Sequence, residues 1–394
     1  MRKILSLMLC SLLLTGLQHC SNSSGGNGPA VYQVTIEPVQ TSWPIVREAS
    51  GQWEIVGEGM FKNVGTETVV ISTVALKVFN ATGDVLVERN YGPGTFNDMI
   101  MIALRSPNGN YTQISPSTSE LKPTDLGFCH VAALAGSSSS PTRAKVAVTF
   151  TNGKSETAEV QLYEFDPGQQ TIWPARLTSG DWVALNTAEA YHHWKGINIY
   201  GTTVGNSERF ALDIMRIDGS YKLSNPDNSP NKTEYYSWGE DVLSAGTGTV
   251  VNVRTDRIDQ EIGTFDLNEP VGNVVVIQHG PALFSLYGHM MQSSATVSIG
   301  DPVSAGQVIG KIGNSGYSTA PHIHFQYMDN ADIVPGKGLP ALFWGAKINR
   351  LSDAVLQGIV SPFPDLREQN YVLTAGTYTM IGSTPLEYDI VTAP

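Results

Sequence analysis

Three cysteines in 394 residues are too few for a disulfide framework. Cys10 lies in an apolar leader, Cys20 just behind it, and Cys129 is left without an evident partner, so the folded parts must stand on packed cores or a bound metal. Charge is also scarce: 15% of the residues carry it, and 24 Lys and Arg against 36 Asp and Glu give a formal net charge of -12 at pH 7. That balance argues against a phosphate backbone as the main partner, and no nucleic-acid binding is expected. Beyond the leader there is no run of about 18 uncharged apolar residues, so no transmembrane helix is expected in the mature chain. From about residue 177 to 350 no helix of ordinary length is visible either. What is present instead is 39 glycines and 22 prolines, the punctuation of a turn-rich strand protein. The length predicts two domains rather than one, and a 41% apolar content supplies enough material for both cores.

The leader MRKILSLMLCSLLLTG has two cations followed by an apolar run from Ile4 to Leu17, the n-region and h-region of an export signal. LQHCSNSSGGNG follows it, and Cys20 before a Ser/Gly/Asn stretch resembles the lipid-attachment site of bacterial lipoproteins. Gln18 and His19 stand where that family has small residues. Residues 1–20 are therefore expected to be an export signal of lipoprotein type, with a possible lipid anchor at Cys20, and residues 21–30 a flexible linker. Plain secretion is the alternative. Either route implies an exported bacterial envelope protein, membrane-anchored or else periplasmic or secreted.

Residues 31–166 read as short alternating strands. WEIVGEGMFKN, TETVVISTVALKVFN and the pair RAKVAVTF and SETAEVQLYEF alternate polar with apolar residues, and Asn152-Gly153 supplies a hairpin turn. An immunoglobulin-like β-sandwich fits that length. It offers little chemistry: its one histidine, His130, is expected to be a packing or surface residue, and the domain's role is open between positioning its neighbour and binding an envelope partner. DPGQQ and Trp173-Pro174 mark a boundary.

Residues 175–350 hold His192, His193, His279, His289, His322 and His324, six of the eight histidines. NVVVIQHG, ALFSLYGHM, GQVIGKIG and HIHFQYM read as strands between glycine turns, so a second mainly β domain is expected. Residues 351–394 form a C-terminal extension that the sequence assigns to neither domain. In PHIHF, strand periodicity puts His322 and His324 on one face. In ERFALDIM it puts Asp213 opposite Leu212 and Ile214, and a carboxylate in an apolar strand calls for a cation, a hydrogen-bond network or a metal. Two imidazoles and a carboxylate can make a zinc site with an open position for water. On spacing alone, this is one reading among several.

GNVVVIQHG, LYGHM and SIGDPVSAGQVIGKIGNSGYSTAPHIHF, in that order, resemble the lysostaphin-like, LytM-type zinc peptidases that cut peptidoglycan peptides, over roughly residues 205–330. The resemblance implies an antiparallel β groove with one Zn2+ on its floor. His324 and Asp213 match metal ligands, His289 and His322 the catalytic histidines, and Gly313, Asn314, Gly316 and Ser318 the turn before the His-x-His pair. His279 matches a frequent histidine, expected to be structural. One ligand departs from the pattern: four residues before the aspartate, where the family has a zinc histidine, this chain has Arg209, which has no lone pair to give. His193 is the expected replacement, with His192 as alternate. Trp194, Tyr200, Tyr235, Tyr236 and Tyr317 are candidate groove walls, and the polar stretches after Asp213 and at 254–270 are expected to be surface insertions beside the groove.

Two readings follow from this. One is a zinc endopeptidase acting on a peptidoglycan peptide or another envelope peptide; the other is a catalytically weak or inactive scaffold marked by Arg209. A carrier of lipoyl or biotinyl groups is excluded, because the turn GDPVSAG has no lysine to receive one.

Overall fold

A computed structural model describes residues 31–95, 99–105, 111–115, 119–188, 193, 197–200, 203–333, 336–352, 375–386 and 389–394. The expected signal, the linker, Cys20, His192 and Trp194 lie outside the described residues. The fold is mainly β, as expected, and is built on two 11-stranded sheets.

The first sheet runs Val85–Tyr91, Val69–Phe79, Arg143–Phe150, Ser155–Glu164, Ser42–Arg47, Trp53–Asn63, Leu126–Ala135, Ile100–Arg105, Tyr111–Ser115, with Val34–Pro38 also paired to Trp53–Asn63 and Glu120–Leu121 to Val69–Phe79. Alternation sets its inner face: Leu76 stands opposite Val146 and Val74 opposite Val148, and all four are buried with Trp43, Trp53, Phe61 and Phe150. The sheet is curled as a half-barrel around that core. Asn152-Gly153 makes the expected turn, with Gly153 at φ 82. Phe61 lies across Gly127, its cross-strand partner, in the space a Cβ would occupy.

The strand Leu126–Ala135 is buried along its whole length. One face, Cys129, Val131 and Ala133, enters the half-barrel core. The other packs outward: Leu126 and Phe128 against Ile197 and Val204, Ala132 against Phe210 and Ala188. A strand that is apolar on both faces is one covered on both sides, and the outer cover here is the C-terminal half of the chain.

Polar groups are sealed into the same contact. Glu58 is fully buried and pairs with Arg209, whose Nε donates to Oε1 at 2.7 Å. Asn206 Nδ2 donates to the same oxygen at 3.1 Å, and His130 Nδ1 lies 3.7 Å from it. Arg350 makes a second bridge, donating to both oxygens of Asp389 at 2.7 Å and to Glu48 at 2.9 Å. Burial pulls the His130 imidazole down to about 3, whereas in an unfolded chain it titrates near 6.5. The folded state therefore refuses a proton that the unfolded state accepts, so this contribution to stability is complete above about pH 6.5 and is lost as pH falls towards 3. The loss is about 1.4 kcal/mol per pH unit. Urea unfolding at pH 7, 6 and 5 should show a steeper acid loss for the parent than for His130→Gln, and parallel curves would contradict this assignment.

The second sheet runs Pro302–Val303, Gly248–Arg254, Asn273–Gly280, Leu283–Met290, Ile323–Met328, Leu212–Ile217, Asp181–Leu185, Ile390–Thr392, Phe343–Arg350, Gly376–Ser383, with Gly338–Leu339 also paired to Ile323–Met328, all antiparallel. Strands from the chain beyond residue 351 thus extend this sheet. One face buries Leu212, Ile214, Tyr287, Ile323, Phe325 and Tyr327 in a continuous core. On the opposite face two smaller apolar clusters, one with Val183, Leu185 and Met215, the other with Val274, Leu286 and Met328, flank a polar stripe. No described helix is long and apolar enough to cross a membrane.

Candidate metal centre

The stripe is assembled by register. Asp213 and His324 are direct cross-strand partners, Leu185 pairs with Asp213, and Gly288 pairs with His324. Four adjacent strands therefore bring their polar positions to one place on a sheet whose other face is a sealed core. His322, His324 and Gln326 project to the same side by the two-residue period of a strand.

Three imidazole nitrogens converge on one carboxylate oxygen. Asp213 Oδ1 lies 3.2 Å from His324 Nδ1, 3.3 Å from His322 Nε2 and 3.4 Å from His193 Nε2. All four residues are buried. The other oxygen, Oδ2, accepts a hydrogen bond from Asn186 Nδ2 at 2.7 Å. The outer nitrogen of each ring has its own partner: His193 Nδ1 contacts Asn186 O at 2.7 Å, His322 Nδ1 contacts Ala320 O at 2.7 Å, and His324 Nε2 contacts Gln326 Oε1 at 2.9 Å. Each outer partner is an acceptor, so each outer nitrogen carries an N–H, and the inner nitrogen is the one left to face the carboxylate or a cation. The same arrangement orients the histidine ligands of metal sites.

His289 closes the other side. It sits in the left-handed region, φ 55, at the irregular end of its strand. That conformation is costly for a residue with a Cβ and concentrates at functional sites. Its N–H donates to Val271 O at 2.9 Å and its Nδ1 to Ser315 O at 2.8 Å, so Nε2 carries the lone pair of the neutral ring. The His289 and His322 rings are 4.6 Å apart, the His193 and His324 rings 4.7 Å. Ser315 belongs to the glycine turn of the sequence, where Gly316 at φ 83 lies so near Pro270 O that a Cβ would be 2.4 Å from it.

The charges respond to this crowding. Burial alone would raise the Asp213 carboxyl, but the imidazoles of His322 and His193 hold it well below the usual carboxylate range. Burial likewise opposes a charge on His324, yet its hydrogen bond to Asp213 and that carboxylate's charge lift it to about 9. His289 is pushed well below its ordinary value by burial and by the neighbouring His322 and His324, and is neutral.

His193, Asp213 and His324 offer donor atoms that all lie within 4.8 Å of one another. Zinc bonds of 2.0–2.2 Å to nitrogen and oxygen in a tetrahedron separate the donors by about 3.4 Å, and the two observed nitrogen-to-oxygen separations are 3.2 and 3.4 Å. The inward-facing ring nitrogens, the ionised carboxylate and the fastened outer N–H groups fit that cation, with His193, Asp213 and His324 as the residues that would hold it. His322 approaches the same oxygen but is outside the group of three.

Arg209 is not part of this centre. It is fully buried and turned to Glu58 of the first sheet; burial pulls its guanidinium down, to about 9, so it stays cationic at neutral pH. His279 is also elsewhere, with Nδ1 on Thr247 O at 2.9 Å and Nε2 on Ser285 Oγ at 2.7 Å. Tyr317 does stand at the surface, stacked on Phe265 at 4.6 Å, where the 254–270 loop is tied to the glycine turn by Asn314 N to Asp259 Oδ1 at 2.7 Å.

Two residues went unnoticed in the sequence. Gln326 follows the His-x-His pair at the same period, and that period is the signal that could have found it. Asn186 gave no signal: it lies 27 residues from Asp213, and its φ of 53 lets one residue fasten both the carboxylate, through its side chain, and His193, through its carbonyl. Asn186→Gly keeps that backbone conformation and removes the amide. It is expected to weaken zinc binding about 10- to 100-fold, as measured by competition with a chromophoric chelator.

Residues 235–335 match the sequence model of Peptidase family M23. Among curated proteins, the chain is 39% identical over 105 residues to peptidoglycan DD-endopeptidase ShyA of Vibrio cholerae, covering 26% of this chain and 20% of that protein. It is 35% identical over 96 residues to lysostaphin of Staphylococcus simulans, covering 24% and 15%. The solved catalytic domain of that lysostaphin shares 25% identity, covering 28% of this chain and 80% of that one, with a TM-score of 0.21. The chain spans 15% to 34% of the length of such curated relatives as lysostaphin and a Haemophilus influenzae metalloprotease. Asp213 and His193 both precede the matched residues.

Proposed function

We propose, from the premise that the C-terminal half carries a domain of the M23 peptidase family, that this protein is a zinc endopeptidase acting on peptide bonds of peptidoglycan. The observation that carries the reading is the convergence of His193 Nε2, His324 Nδ1 and Asp213 Oδ1, with the outer N–H of each ring already engaged. Bound there, zinc would polarise a peptide carbonyl and make a water more acidic.

The remaining chemistry falls to the chain. His289, neutral and held by Ser315 O, presents Nε2 as the acceptor for the proton of the attacking water. His322, held by Ala320 O, directs Nε2 into the same space and, in its protonated form, donates from that nitrogen to the developing oxyanion, while the proton that His289 takes from the water passes to the leaving amine. Asn186 and Gln326 hold Asp213 and His324 in place. The apolar clusters at either end of the stripe and the Tyr317–Phe265 stack make the walls on which a peptide would lie.

Export, with Cys20 as lipid anchor or with release, places this activity in the envelope. Residues 31–166 and 175–350 are the two domains of the proposal, and 351–394 an extension whose strands complete the second sheet. The test is digestion of purified peptidoglycan by zinc-loaded full-length protein, followed by mass spectrometry of the released fragments. New free amino termini, absent after chelation and restored by zinc, are expected. A fully loaded protein that releases none is the scaffold instead.

A further inference from the structure

The third donor does not come from the sheet that carries the other two. His193 lies between Ala188 and Ile197, and both of these are seated on the first sheet. Ala188 packs with Val56, Ala132 and Phe210, and Ile197 with Met101, Ala103, Leu126 and Phe128. The carbonyl of Ala188 is met by His130 Nε2 at 3.2 Å. Two residues before Ala188, Asn186 grips Asp213 and His193.

We infer that the first sheet completes the metal centre, with His130 as a positioning residue that sets His193 through the Ala188 carbonyl and Ile197 as the apolar anchor on the far side. This rests on the reading of His193 as a ligand. His130 is fully buried on a central strand, and burial keeps it neutral, so its Nε2 carries a proton and donates to that carbonyl. The neighbouring Glu58–Arg209 pair locks the segment before Asp213 to the same strands. In this chain the residue four before the aspartate has become an interdomain clamp, and the donor it lacks is delivered by a segment that the clamped domain holds. A domain that served only to bind an envelope partner would have no reason to bury a histidine against the ligand-bearing segment.

The experiment uses the full-length chain, with zinc affinity measured by chelator competition, the visible spectrum of the cobalt-substituted protein, and thermal unfolding of the metal-free form. His130→Leu removes the donor and is expected to weaken zinc about 10- to 100-fold and to change the cobalt spectrum. His130→Gln retains an N–H for the carbonyl and should stay within about threefold of the parent. Ile197→Ala, a second variant should the first fail to fold, is expected to weaken zinc about tenfold. If His130→Leu or Ile197→Ala lowers the metal-free unfolding temperature while zinc affinity and spectrum stay at parental values, these residues only hold the domains together and the inference is wrong. His193→Ala separates the two levels. Its loss of zinc beside intact binding in the other variants defeats the inference alone, and parental binding in His193→Ala defeats the ligand reading beneath it.

Discussion

Asp213→Asn is expected to leave a folded protein that purifies with almost no zinc, where the parent holds about one per chain. The substitution is isosteric, and its amide can keep the contact with Asn186. What it removes is the charge on which three imidazoles converge at 3.2 to 3.4 Å. Partners one shell out from a metal are worth about 10- to 100-fold in affinity, so losing an anionic donor in contact with the ion should cost upwards of about a thousandfold. Hydrolysis of peptidoglycan should fall to background with it. Elemental analysis after dialysis, beside the digestion assay, reads both effects. A variant that retained zinc at the parental level would show the cation to be held elsewhere, and the site would have to be redrawn.

Glu58→Ala should cost the folded protein about 3–5 kcal/mol, the penalty for leaving a buried charge without its partner. Arg209 has no exposure to water and cannot recover solvation without opening the contact between the two sheets. The double variant Glu58→Leu/Arg209→Leu removes both charges and should recover most of the loss, because well-packed apolar residues replace a buried pair at little or no cost. Urea-unfolding midpoints of parent, single and double variants make the comparison. A single variant costing less than about 1 kcal/mol, the usual worth of an exposed pair, would mean that the guanidinium reaches water and the contact is looser than described. The pair also accounts for arginine at position 209: its guanidinium is engaged by Glu58 of the first sheet, 151 residues away in the chain.

Much of this protein is legible in one dimension. Alternation in RAKVAVTF and SETAEVQLYEF announced a hairpin, and Asn152-Gly153 its turn, because both depend on interactions between near neighbours. PHIHF announced two imidazoles on one face for the same reason, and RFALDIM a carboxylate that required company. The motif order from GNVVVIQHG to PHIHF carries the resemblance to lysostaphin-like peptidases, and that resemblance implies a metal centre in an antiparallel groove and marks Arg209 as a missing donor.

What the chain alone left open was decided by long-range packing. The curl that makes the first sheet a half-barrel, and the addition of the strands Gly376–Ser383 and Ile390–Thr392 to the second sheet, depend on pairings between distant segments that local pattern does not encode. His130 and Glu58 look like ordinary polar residues of a β domain until a second domain buries them. Asn186 becomes meaningful only when register sets Leu185 beside Asp213. Periodicity tells a residue which face it shares with its neighbours in sequence; only the closed tertiary structure determines what lies across from that face, and a cluster drawn from two strands of one sheet and a residue outside it is made of such encounters.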